Sequence, residues 1–61
     1  MNKESITMLS YALATENDAV AMYRFMIQNL PKEYKGELVH ILNEEKEHAE
    51  ILKKLIDKAT K

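Results

Sequence analysis

Apolar residues recur along this chain at alternating steps of three and four positions, and this spacing constrains the fold more than any other feature. Two such stripes are present. They are formed by Ile6, Leu9, Leu13, Glu16, Val20, Tyr23, Ile27 and Leu30, and by Leu38, Ile41, Glu45, His48, Leu52, Leu55 and Ala59. Steps of three and four place side chains on one side of an α-helix, where they face a partner helix. The chain is therefore predicted to be all-α.

The region between the stripes predicts a short loop that joins two long helices. The predicted elements are helix one over about residues 3–29, a loop over about 30–33 and helix two over about 34–59. Asn2 is the predicted cap of helix one. Pro31 disfavours helical geometry at Leu30 but is tolerated in a first turn, so it marks the break. Because so short a loop makes the helices antiparallel neighbours, the chain is predicted to be a single helical hairpin.

The size of the chain and the width of its apolar stripes predict self-association. A hairpin within 61 residues buries too little surface to be comfortably stable alone. Further apolar residues widen both stripes, namely Met8, Ala12, Ala19, Met22 and Met26 on helix one and Leu42, Ala49, Ile51 and Ile56 on helix two. Stripes of this width are typical of a four-helix bundle, so two hairpins are expected to form one as a homodimer or within a larger homo-oligomer. The methionines are interpreted as core residues that fill gaps, not as haem ligands.

Charge and composition exclude several classes of function. Ten acidic side chains nearly balance nine basic ones, which argues against binding to nucleic acid or to an anionic membrane surface. The absence of cysteine excludes disulfides, thiolate metal sites and iron–sulfur clusters. No segment approaches the roughly 20 apolar residues of a membrane span, and the first residues do not form the apolar run of a signal peptide. A soluble cytoplasmic protein is expected.

Acidic or basic side chains interrupt the two stripes at Glu16, Glu45 and His48 only. A bare carboxylate in a helix interface costs several kcal/mol unless a proton, a counter-charge or a metal compensates it. Glu45 and His48 are three residues apart, so they lie on adjacent turns of one helix face. The hairpin brings Glu16, at the middle of helix one, level with them. The three side chains are therefore predicted to converge on a cation.

One hairpin offers two carboxylates and one imidazole, which is half of a dinuclear site. In the dinuclear sites of carboxylate-rich four-helix bundles, four carboxylates and two histidines hold two metal ions. A two-fold axis through a dimer would double the set of one chain. Four carboxylates and two divalent ions sum to zero charge, whereas four carboxylates without metal repel one another. A two-metal site shared by two chains is therefore predicted.

A helix that carries Glu with Tyr seven residues on, followed by a helix that carries Glu-x-x-His, resembles the ferritin-like di-iron carboxylate superfamily. In this chain these residues are Glu16, Tyr23, Glu45 and His48. The run from 43 to 50, Asn-Glu-Glu-Lys-Glu-His-Ala-Glu, is similar to the metal-binding helix of rubrerythrins and of encapsulated ferritins. The latter are half-length chains that complete a di-iron site across a subunit interface. The resemblance therefore implies two iron ions per dimer, with manganese or zinc as alternatives.

The resemblance also implies a role for each residue. Glu45 would bridge the two metals, Glu16 would be the terminal carboxylate and His48 would give a nitrogen to each ion. These three would be both the metal ligands and the catalytic residues. Tyr23 would hydrogen-bond a ligand carboxylate of the other chain. The implied activity is oxidation of ferrous iron by dioxygen or peroxide, as in ferroxidases and rubrerythrin-type peroxidases, with an external electron donor or an encapsulating shell as partner.

Several alternative interpretations remain open from the sequence. The three polar residues are also compatible with a metal-free Glu-His network that fixes the register of the bundle. They fit a structural zinc site too, or an interaction module or fragment of a longer protein in which they are incidental. Tyr23 has the pattern of an ordinary core residue as well. His40 falls outside the stripes and is expected to be exposed.

Overall fold

The computed structural model describes residues 3–60, which form two long helices joined by a short turn. The helix α1 spans Lys3–Asn29, a 3₁₀ turn spans Lys32–Tyr34 and the helix α2 spans Lys35–Ala59. No strand occurs within these residues, and the prediction of an all-helical hairpin is confirmed. The predicted cap Asn2 lies outside the described residues.

The chain turns where Pro31 interrupts the helical pattern. The Leu30 amide donates the last α-helical hydrogen bond of this region to the Met26 carbonyl, at 2.8 Å. Pro31 then has an extended ψ of 152°, and the Tyr34 amide donates to its carbonyl at 3.1 Å. Much of the predicted loop is thus a 3₁₀ turn, and α2 begins at Lys35, one residue later than the predicted position 34.

The helices pack side by side into a rod with principal extents of 47 × 14 × 10 Å. The first predicted stripe lies along their contact, because each of its members from Ile6 to Ile27 is at least half-buried. Leu30, beside the break, is instead 42% exposed. Neither helix, over residues 3–60, combines the length and apolarity that crossing a membrane requires.

The second predicted stripe is wrong at two positions. Leu55 is 43% exposed and the His48 side chain is 53% exposed, so neither lies in the centre of the helix contact. Leu42, Ala49 and Ile56 take part in that contact instead. The apolar surface of α2 is wider than α1 covers, and the small side chain of Ala49 lets the helices approach closely. Compared with the predicted stripe, α2 is thus rotated about its own axis so that Ala49 faces α1. The rotation leaves His48 at the edge of the contact.

One flank of the hairpin is rich in exposed apolar side chains. We call this surface the apolar flank; its most exposed members are Met8 and Met22 on α1, Leu30 and Tyr34 in the connection between the helices, and Ile51 and Leu55 on α2. Within α2, His48 belongs to the same row, seven residues before Leu55. The opposite flank is polar, with a groove lined from both helices by Asn17, Arg24, Lys46 and Lys53.

The hairpin has almost no interior of its own. Of residues 3–60, only Leu38 and Ala49 are buried. All other apolar side chains at the helix contact are half-buried. Since most of the stabilisation of a fold comes from apolar area removed from water, a single hairpin leaves much of its potential stabilisation unused.

Candidate metal centre

Glu16, Glu45 and His48 converge halfway along the hairpin. One ligand atom of each side chain lies within 4.8 Å of those of the other two. Glu16 comes from the middle of α1, whereas Glu45 and His48 project from adjacent turns of α2. The antiparallel pairing of the helices therefore brings the three predicted ligands together. We refer to them below as the carboxylate–histidine cluster.

The imidazole of His48 lies between the two carboxylates. Its Nδ1 atom is 3.6 Å from Glu16 Oε2 and 3.7 Å from Glu45 Oε1. Both distances exceed the 2.7–3.2 Å typical of a hydrogen bond. The nitrogen is thus almost equally far from the carboxylate of Glu16 on α1 and that of Glu45 on α2. His48 makes no direct hydrogen bond to either carboxylate, which leaves space between the three groups.

Burial of the cluster is partial and uneven. The side chains of Glu16 and Glu45 are 24% and 22% exposed, so the carboxylates are half-buried and not fully dry as the sequence predicted. One atom is nevertheless shielded from water, since Glu16 Oε2 is buried and has no hydrogen-bond partner. A shielded carboxylate oxygen without a partner is unfavourable, because the interactions it lost with water are not replaced.

The two carboxyl groups also interact directly. Hydrogen bonding to Glu16 raises the pKa of Glu45 above its ordinary value of 4.5, and partial desolvation and the negative charge of Glu16 raise it further. His48 acts in the opposite direction, and the charge of Glu44 adds to the increase in the pKa. In the metal-free hairpin, a proton on Glu45 therefore relieves part of the repulsion within the cluster.

This raised pKa predicts how the stability of the metal-free protein depends on pH. Folding favours the protonated form of Glu45, so the associated stabilisation is complete below the unfolded-state pKa near 4.5. It is lost as the pH rises through the folded-state pKa. Glu45→Gln keeps a neutral, hydrogen-bonding side chain at every pH. The melting temperature of Glu45→Gln minus that of the wild type should therefore be larger at neutral pH than at pH 4.5.

Circular dichroism melts of metal-depleted protein at both pH values measure this difference. Glu47→Gln is the matched control, because Glu47 is two residues away on α2 and exposed. It removes the same charge outside the cluster and should show no such pH dependence. An equal effect of Glu45→Gln at both pH values would contradict the raised pKa.

The cluster meets three requirements of a cation site. Two carboxylates and an imidazole are ligands that iron, manganese and zinc accept. Glu16 Oε2 is buried and lacks a donor, so a cation would satisfy it. Two ligands about 2.0–2.2 Å from one tetrahedral ion lie roughly 3.3–3.6 Å apart, and the separations of 3.6 and 3.7 Å need at most a small rearrangement to reach that range.

Two further residues singled out in the sequence, Tyr23 and His40, lie outside the cluster itself. Tyr23 is half-buried on the inner face of α1, and its hydroxyl makes no hydrogen bond to any other residue of the described part of the chain. His40 is exposed and pairs with Glu44 at 3.3 Å, away from the cluster. The structure thus separates the two histidines of the chain, in agreement with their positions in the sequence.

Sequence reasoning gave no role at the site to Ala49. This residue directly follows His48 and is only 5% exposed. Its position four residues after Glu45 places it on the same helix face, and its small side chain lets α1 approach α2 beside the cluster. The sequence signal that could have indicated this role is a small residue four positions after the candidate ligand Glu45.

Comparisons with protein-family models, with curated proteins and with solved structures find no match to this chain.

Proposed function

We propose that two copies of this hairpin form a four-helix bundle that binds two iron ions between them and oxidises ferrous iron with dioxygen or peroxide. The observation that carries the proposal is the cluster itself. Two helices bring Glu16, Glu45 and His48 within 4.8 Å, and one buried Glu16 oxygen has no partner. The resemblance of the motif to the ferritin-like superfamily supports iron as the metal.

The surface of the hairpin supports a second copy as the partner. A compact monomer of 7.1 kDa is expected to expose about 4100 Å², whereas this chain exposes 4921 Å². The excess of about 800 Å² is close to the area that each partner buries in a standard protein interface. The apolar flank contains the side chains that such an interface would cover.

The location of His48 links the proposed dimer to the proposed site. His48 lies in the row of α2 that forms part of the apolar flank, and its side chain is 53% exposed. Pairing through this flank would bring a second cluster next to the first. Since one hairpin supplies only three ligand groups, the second copy would complete the ligand set, as an isologous interface requires.

Within this bundle each residue has a defined task. Glu45 would exchange its proton for a cation that Glu16 also binds, which would remove the repulsion between the two carboxylates. His48 would bind as the neutral imidazole and give the site its nitrogen ligand. Tyr23 would donate a hydrogen bond to a carboxylate of the partner chain. Two ferrous ions held side by side would together supply two electrons to dioxygen or peroxide and become ferric, and an external donor would be needed to reduce them again.

Oxidation of ferrous iron in air tests the function. With one ferrous ion added per chain, the near-ultraviolet absorbance of ferric iron should rise faster with the protein than in buffer alone. His48→Ala should lower the initial rate by at least about tenfold, since even residues that only support metal ligands change activity by about that factor. The matched control is His40→Ala, which removes an exposed imidazole outside the cluster and should leave the rate unchanged.

The result also separates the proposal from its alternatives. Tight metal binding without faster oxidation would reject the ferroxidase function and favour a structural site such as zinc. No binding at all would favour the metal-free network. In that network the side chains would have to move closer together, because His48 Nδ1 is 3.6 Å from Glu16 Oε2 and 3.7 Å from Glu45 Oε1.

A further inference from the structure

A second candidate site lies on the polar flank of the hairpin, across the helix contact from His48. There, α1 and α2 leave a groove of about 400 Å³. Asn17 and Arg24 line it from α1, and Lys46 and Lys53 line it from α2. Ala49 and Val20 also line the groove and are buried and half-buried, respectively. We call this feature the cationic groove.

The charges of the cationic groove are poorly balanced by the protein. Three cationic side chains line it, and Glu50 is its single acidic residue. Glu50 is paired with Lys53 at 3.3 Å. Neither Arg24 nor Lys46 forms an ion pair with any residue from 3 to 60. This local excess of positive charge occurs in a chain with ten acidic and nine basic side chains, so composition does not account for it.

We propose that the cationic groove binds a small multivalent oxyanion of the phosphate or diphosphate class. The planar guanidinium of Arg24 can donate two parallel hydrogen bonds to such an anion, and the ammonium of Lys46 adds a point charge from the other helix. Asn17 offers an amide donor. The volume of about 400 Å³ lies within the range of roughly 300–1,000 Å³ typical of small-molecule sites.

The cationic groove is separate from the carboxylate–histidine cluster. Asn17 and Lys46 directly follow Glu16 and Glu45 in sequence, and one step along a helix turns a side chain by about 100°. The groove therefore lies at the level of the cluster but opens on the other flank. Pairing of two hairpins through the apolar flank leaves it uncovered. Anion binding thus requires neither a metal nor the proposed dimer, and its failure would not affect the proposed function.

Isothermal titration of metal-depleted protein with diphosphate, at fixed ionic strength in chloride, tests the proposal. Metal is removed with a chelating resin, because soluble chelators are themselves polyanions. We expect saturation at one diphosphate per chain. Arg24→Gln and Lys46→Gln should each weaken binding by roughly three- to tenfold, since each removes a charge-assisted hydrogen bond. Lys32→Gln removes the same charge at an exposed position in the turn and should leave the affinity unchanged.

Ala21→Leu adds a test of shape that leaves the charge constant. Ala21 lines the groove and is exposed, so a larger side chain would occupy the groove without disturbing the helix contact and should also weaken binding. Absence of saturable binding would overturn the proposal. An equal loss in Lys32→Gln and Lys46→Gln would overturn it too, by showing general attraction to a charged surface. Binding of an acidic peptide but not of diphosphate would instead assign the groove to a macromolecule and reject the small-anion site.

Discussion

Anaerobic titration with ferrous iron should saturate at one iron per chain, in a species with the mass of two chains. One hairpin supplies two carboxylates and one imidazole within 4.8 Å, which is half of the ligand set of a dinuclear site. Two hairpins would therefore hold two ions. Iron content measured on the protein after size-exclusion chromatography with light scattering gives the metal content and the mass together.

Removal of a ligand should abolish tight binding. Glu45→Ala and His48→Ala should each weaken iron binding by about a hundredfold or more, because loss of a direct ligand exceeds the effect of losing a supporting residue. The matched controls are Glu47→Ala and His40→Ala. These exposed residues lie on the same helix as the ligands and outside the cluster, so their variants should bind iron normally.

A variant of the apolar flank separates the ligands from the dimer. Leu55 is 43% exposed and is not part of the cluster, so Leu55→Glu leaves all three ligands in place. It should yield monomers that no longer bind two ions tightly. Ala14→Glu adds the same charge at an exposed position of α1 away from the apolar flank, and it should remain dimeric. Saturation at zero iron, or unchanged binding in both ligand variants, would reject the proposed centre.

Metal binding should raise the melting temperature strongly. A ligand present at one hundred times its dissociation constant stabilises the folded state by about 2.7 kcal/mol. In a domain of this size, 1 kcal/mol corresponds to roughly 4–8 °C, so the expected increase is roughly 10–20 °C. The physical reason is that a cation would satisfy the buried Glu16 oxygen and would take the place of the proton that the raised pKa of Glu45 favours.

Calorimetry of the protein with and without a divalent metal, at one protein concentration, measures this shift. Addition of a chelator should reverse it. Glu45→Ala should melt at the same temperature with and without metal, since it lacks the central ligand. A wild-type melting temperature that metal does not change would count against a cation in the cluster.

Hydrophobic periodicity was sufficient to predict the helices and the convergence of the three candidate ligands. The register follows from the hairpin alone, because the break at Pro31 fixes which residues of α2 come level with Glu16. The rotation of α2 about its own axis was not predictable in the same way. His48 and Ala49 are neighbours in two overlapping apolar rows, and only packing against α1 determined that Ala49 lies in the contact and His48 at its edge.

The cationic groove was also not predictable from the pattern. Arg24 and Lys46 belong to different helices and are separated by more than twenty positions in sequence. Each alone has the pattern of an ordinary surface charge. Only the antiparallel packing of α1 and α2 shows that they line one groove together.

The scarcity of buried side chains also affects the cellular concentration at which this protein would be folded. Leu38 and Ala49 alone are buried among residues 3–60, so the pairing of two chains proposed above would supply much of the apolar burial that stabilises each of them. The folded fraction would then rise with the abundance of the chain, and dilution would shift the equilibrium toward unfolded copies. Expression level would act as the switch that assembles the protein.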